Sequence, residues 1–164
     1  MKYTSETTIF LPQQGLKKIL DISSGEFYGK TINLYSLQGR GGNLTRISTQ
    51  ALIKLRARPV CTETEITAVI DSLSNPIALP KKLWTKRDQG IIEQLKRGRV
   101  TDHGNIVQRL YQIDATLSAY SRFRHYDTAL GFLAEEFAYL NKCSYEQAVD
   151  YIRNCAKAAH CIPA

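Results

Sequence analysis

A chain of 164 residues, 43% hydrophobic and 23% charged, is long enough to bury a core as one domain or two small ones, and its composition argues against disorder. The 22 Lys/Arg against 15 Asp/Glu leave a formal charge of +7, which favours a polyanionic or acidic partner. No stretch approaches the ~20 apolar residues of a membrane span, and the opening MKYTSETTIF lacks the cationic and apolar segments of a secretory signal, so a soluble, cytoplasmic protein is expected.

Up to residue 60 the chain reads as β structure. Short β-prone runs (Thr7 to Leu11, Lys17 to Ile22, Thr31 to Leu37, Asn43 to Ile47) alternate with turn formers at Pro12 to Gly15, Ser23 to Gly25 and Gly39 to Gly42. The pattern predicts a small antiparallel β-barrel. Gly39-Arg40-Gly41-Gly42 lacks the following helix that a phosphate cradle needs, so it is read as a hairpin turn. Arg56-Ala57-Arg58-Pro59 is read as an extended connection, because Pro59 biases Arg58 away from the helical region.

Beyond residue 60 the period becomes helical. Thr62 and Glu65 make a capping box ahead of Ile66, Val69, Ile70 and Leu73, and Asn75-Pro76 stops that helix. A second helix is predicted from about Leu83 to Arg97, burying Ile91, Ile92 and Leu95 and ending at Gly98. A third follows from Gly104 to Ile113 on Ile106, Val107 and Leu110, and a long fourth from Ser121 to Leu140 through Tyr126, Ala129, Leu130, Leu133 and Phe137. Ser144 and Gln147 cap a fifth, striped by Ala148, Tyr151, Ile152 and Cys155. The fold class expected is therefore α+β, with a barrel over residues 1–60 and a five-helix bundle over residues 61–164.

Charge is unevenly spread. Residues 1–60 carry nine Lys/Arg against three acids and residues 81–124 carry ten against four, whereas the segments between and after are net acidic. Two basic surfaces imply two contacts or one long groove. The second block holds the only tryptophan, Trp84, within Lys81-Lys82-Leu83-Trp84-Thr85-Lys86-Arg87. A flat apolar ring among cations suits a wedge that unstacks a base step while its neighbours hold phosphates. A lone Trp near a helix start equally suits a core anchor.

Catalytic chemistry is sparse. His103, His125 and His160 are placed in a loop, in a helix and near the terminus, with no Ser or Cys elbow beside them. Glu135 and Glu136 diverge by about 100° on a helix, which defeats an acid/base pair. Cys61, Cys143, Cys155 and Cys161 offer no zinc spacing. No enzyme, metal or cofactor is expected.

Arg46-Ile47, Arg58-Pro59-Val60, Trp84-x-x-Arg87, Leu95-Lys96-x-Gly98, Val107-x-x-Leu110-Tyr111 and Glu136-Phe137-Ala138 together resemble the CarD/CdnL transcription regulators, over most of the chain. The family's Tyr-Pro-x-x-Gly is answered by Leu11-Pro12-Gln13-Gln14-Gly15, and a family glycine by Gly29. The resemblance implies a Tudor-like barrel that binds the RNA polymerase β subunit, through Arg46 with Leu44, Ile47 and Pro12. It also implies a helical domain whose Trp84 enters the minor groove beside the minus-ten element at the upstream edge of the promoter bubble. Lys82, Lys86, Arg87, Arg122 and Arg124 would hold phosphates. The departures are Leu11 for the tyrosine, Gly25 for a second arginine, Ile47-Ser48 for Val-Pro, and Arg122-Phe123-Arg124 for an acidic-basic pair.

The function expected from this resemblance is stabilisation of the open promoter complex by a monomer. Two alternatives stand beside it. One is a protein adaptor that docks both basic surfaces on acidic partners, with Trp84 as an interface anchor. The other is a cysteine-dependent enzyme with one fast-reacting thiol.

Overall fold

The computed structural model describes residues 3–75, 87–114 and 120–158. The chain divides into two compact units, Met1–Val60 and Cys61–Ala164.

In the first unit, β1 (Thr8–Leu11), β2 (Gly15–Phe27), β3 (Lys30–Gly39), β4 (Leu44–Ser48) and β5 (Arg58–Pro59) form one antiparallel sheet in the order β4-β3-β2-β1-β5. Period-two alternation puts Ile9, Leu11, Ile19, Tyr35 and Leu37 on one face, where they are buried together. A short helix, α1 (Thr49–Lys54), lays Leu52 on that face. The expected barrel is thus seen as a five-stranded sheet, with no pairing between β4 and β5 to close it among the described residues.

Two further readings are corrected in this unit. Ser23 to Gly25 is not a turn but the middle of β2, where Gly25 faces Ile32 across the ladder. The turn lies at Tyr28-Gly29, both at positive φ. Arg58-Pro59 is more than a connection, because it pairs with Ile9 and Phe10 as an edge strand, where a proline costs no ladder bond. That pairing sets the Arg58 guanidinium 4.2 Å over the Phe10 ring, a cation–π contact on the face away from the core. Helix α1 went unread because it is only six residues long and its cap, Ser48, directly ends a strand; the Ser48 hydroxyl accepts from Ala51 N at 3.3 Å.

The second unit holds α2 (Glu63–Leu73), α3 (Arg87–Arg97), α4 (Val100–Asp114), α5 (Tyr120–Asn141) and α6 (Tyr145–Ala158). With α1, six helices are described rather than the five expected. Both capping boxes form: Thr62 N donates to Glu65 Oε2 at 2.8 Å and Glu65 N to Thr62 Oγ1 at 3.2 Å, while Ser144 N donates to Gln147 Oε1 at 3.0 Å and Gln147 N to Ser144 Oγ at 3.1 Å. Each satisfies two amides that the helix start leaves open. Gly98, at φ 66, donates its N–H to Gln94 O at 3.1 Å and closes α3. The core joins Ile66, Val69, Ile70 and Leu73 to Ile106, Val107, Leu110, Leu130, Leu133 and Ile152.

The predicted apolar faces need two changes. Ile91 and Leu95 pack inward, but Ile92 is 38% exposed, since it lies about 100° round the helix from Ile91. Tyr151 sits half out of the α6 stripe with its ring stacked on Phe137, centroids 5.1 Å apart.

Helix α4 begins one turn before the predicted Gly104, so His103 is a buried helical residue beside the Phe132 ring at 5.3 Å and not a loop residue. The glycine marks a close approach of helices: a Cβ on Gly104 would run into Val69 Cγ1 of α2. Gly→Ala inside a helix ordinarily stabilises. Here Gly104→Ala is expected to destabilise by about 1–3 kcal/mol through overpacking, read as a melting temperature lower by several degrees; a higher one would mean that α2 and α4 do not pack at this crossing.

Candidate functional site

Three contacts establish which helix ends lie together in the second unit. The buried Gln108 side chain of α4 donates both its amide hydrogens to α2's terminal carbonyls, Ser72 O at 2.7 Å and Asn75 O at 2.5 Å. Helices α4 and α5 run antiparallel, with His103 beside Phe132 and Tyr111 beside Tyr126, the latter pair of centroids 6.3 Å apart. The end of α2, the end of α4 and the start of α5 therefore share one end of the unit. The chain leaves Asn75 for the cationic Trp84 run from this end.

Exposed cations gather here as well. Arg124 lies exposed near the start of α5, and Arg109 lies exposed on α4 next to Gln108. Arg122 occupies the first turn of α5 and Arg87 opens α3; their side chains fall outside the described residues, as do Lys82, Trp84 and Lys86 altogether. The first turn of α5 holds no acid. Because a helix start carries a positive dipole end, cations there cost the helix a few tenths of a kcal/mol or more. Local helix stability is thus not what Arg122 and Arg124 serve.

Arg109 and Gln108 escaped the sequence reading. Arg109 was visible in principle, as a cation off the Ile106/Val107/Leu110 stripe. Gln108 was not, because nothing local says that a glutamine will be buried against another helix's carbonyls.

A second basic corner, at the α3–α4 turn, behaves differently. Arg97 grips Asp102 with two bonds, Nε to Oδ2 at 3.1 Å and Nη2 to Oδ1 at 2.8 Å. That hydrogen bond, with Asp102's charge, raises the guanidinium's pKa above its ordinary value. Arg97 is committed to fastening this corner, and Lys96 and Arg99 are left exposed on either side of the turn.

In the first unit the candidate contacts separate by pleat. Strand β4 pairs only with β3, so its outer edge is open among the described residues. Leu44, 70% exposed, and Arg46 project from one face, across from Gln38 and Ser36. Ile47 alternates to the other face and packs on the core, and Pro12 is buried at the β1–β2 turn. Leu44 and Arg46 are the pair available to a partner; Ile47 and Pro12 serve by shaping the strand and turn that carry them.

The thiols offer little nucleophilic chemistry. Cys61 is buried, and burial above all pushes the Cys155 thiol above its ordinary pKa, which lowers its thiolate fraction at neutral pH. Among the described residues no three His, Cys, Asp or Glu side chains gather as metal ligands. No helix among them is long and apolar enough to cross a membrane.

Residues 68–153, just over half of the chain, match the family model described as CarD, C-terminal domain. The match runs from within α2 into α6, so it takes in the end of the helical unit that gathers Gln108, Arg109, Arg122 and Arg124, together with the Trp84 run. No curated protein matches the chain.

Proposed function

Because the chain belongs to the CarD family of transcription regulators, we propose that it binds the RNA polymerase β subunit through its N-terminal unit and prolongs the open promoter complex by a DNA contact of its helical unit. Residues 1–60 are then the polymerase-interacting domain and residues 61–164 the DNA-contacting one. The observation that carries the reading is the shared helix end, where the Gln108 bonds hold the departure point of the Trp84 run beside the exposed Arg109 and Arg124.

The proposed work is binding without chemistry. Lys82, Lys86, Arg87, Arg122 and Arg124, now joined by Arg109, neutralise phosphates and release counterions. Trp84 fits a step that is already unstacked, at the upstream edge of the bubble in the minor groove beside the minus-ten element. A contact made only with melted DNA shifts the closed–open equilibrium by its differential affinity. Anchorage on polymerase raises the local concentration of the helical unit, so a weak DNA contact suffices. The open edge of β4, with Arg46 and Leu44 on its outward face, supports strand addition by a polymerase segment.

The deciding test is open-complex lifetime on a fork-labelled promoter with cognate polymerase, with and without the wild-type chain. A longer lifetime is expected, and an unchanged one refutes the proposal. Arg46→Glu is expected to weaken binding to polymerase by about tenfold or more, as charge reversal at a contact does, while leaving retention on heparin by the helical unit's basic surface nearly intact. Equal loss of both would point to misfolding. The adaptor alternative predicts polymerase binding without any change in lifetime.

A further inference from the structure

Strands β2 and β3 outrun the rest of the sheet. Strand β1 pairs with β2 only as far as Lys18, and β4 pairs with β3 only from Leu34 onward. Between these limits, from Ser23 to Asn33, the two strands pair only with each other, as a two-stranded arm. The described residues from Ser23 to Glu26 and from Tyr28 to Thr31 are all exposed. A bare ribbon of this kind gains little from burial, so its persistence in the fold calls for a use outside the unit's own core.

The tip sharpens the point. Tyr28 and Gly29 form a two-residue turn with φ 50 and φ 70, the type that Asn-Gly adopts at least cost. An aromatic at the first position is held in the left-handed region at a penalty that asparagine largely escapes. Its side chain is 95% exposed, so burial within the unit does not repay that penalty. Strain of this kind, kept where the fold gains nothing, is a signature of a functional contact.

Charge selects the partner. The arm, taken as residues 21–33, carries Asp21 and Glu26 against Lys30, whereas the rest of residues 1–60 carries eight Lys/Arg against Glu6 alone. Most of the unit attracts an acidic surface; the arm repels one. Nucleic acid is therefore disfavoured at the arm, although a two-stranded ribbon would fit a major groove by shape.

We propose that the β2–β3 arm makes a second contact with RNA polymerase, separate from the β4 edge, in which Tyr28 fills an apolar pocket rimmed by basic residues. Tyrosine is among the side chains that most often anchor interfaces, and an acidic flank beside it supplies orientation and a faster encounter with a basic rim. The proposal rests on the polymerase-binding reading above.

The test measures the full chain against cognate polymerase holoenzyme as wild type, Tyr28→Asn, Glu26→Lys and Arg46→Glu, with melting temperatures and retention on duplex DNA recorded for each. Tyr28→Asn is expected to melt at the same or a higher temperature and yet to bind polymerase about tenfold or more weakly. Glu26→Lys is expected to weaken polymerase binding too. If both arm variants bind as wild type does while Arg46→Glu is impaired, the arm proposal is overturned and the β4 reading survives. If Glu26→Lys binds more tightly to polymerase or to duplex DNA, the arm faces an acidic surface and the proposal is overturned. If the wild type does not bind polymerase, both readings fall together.

Discussion

Trp84→Ala is expected to abolish the extension of open-complex lifetime while leaving polymerase binding at the wild-type level. Stacking of an aromatic side chain on a base is worth about 1–3 kcal/mol. If that contact exists only in the melted complex, losing it shortens the lifetime by roughly 5- to 150-fold, since each 1.4 kcal/mol is about tenfold. The same residue reports on itself: as the only tryptophan in the chain, its fluorescence should change on fork-junction DNA and stay unchanged on fully paired duplex. Trp84→Phe separates the readings further. Under the wedge reading the smaller ring retains part of the effect, whereas a core anchor would betray itself in both variants as a lowered melting temperature with no selective loss of lifetime.

The second large effect concerns Glu136, fully buried on α5, whose Oε2 accepts the Cys61 N–H at 2.9 Å. That bond spans 75 positions and ties the first residue of the helical unit, one position ahead of the Thr62 cap, to the interior of the bundle. Glu136→Ala removes the acceptor and leaves a buried amide without this partner as well as a cavity. A cost of about 2–4 kcal/mol is expected from the two together. Glu136→Gln keeps an acceptor oxygen of similar reach and should cost appreciably less. Denaturant unfolding of the full chain measures both, and equal stabilities for the two variants would show that the Cys61 bond contributes nothing.

These expectations draw on different depths of the sequence. The four cardinal residues of α2 and both capping boxes were legible because they are local: a cap and its return carboxylate or amide lie three residues apart, and an apolar stripe repeats within one helix. The cationic block around Trp84 was legible for the same reason. The family resemblance then turned an undirected charge pattern into a specific expectation, and the match over residues 68–153 supports it.

What escaped was set by partners distant in the chain. Gly104 reads locally as a helix breaker, and only the crossing of α2 makes it an interior helical residue. Ser23 to Gly25 reads as a turn, yet register with Thr31 to Leu34 keeps it in a strand. Gln108 and Glu136 read as surface polar residues, and each is buried because a backbone group of another segment requires it. The sequence by itself determined the β-then-helical order of the chain, the helix starts and the concentration of positive charge, since these follow from propensity, capping and composition acting over a few residues. Tertiary structure alone decided which helix ends meet, which of Leu44, Arg46, Ile47 and Pro12 face outward, and that β2 and β3 extend as an arm, because each depends on packing and pairing between segments that no local pattern specifies.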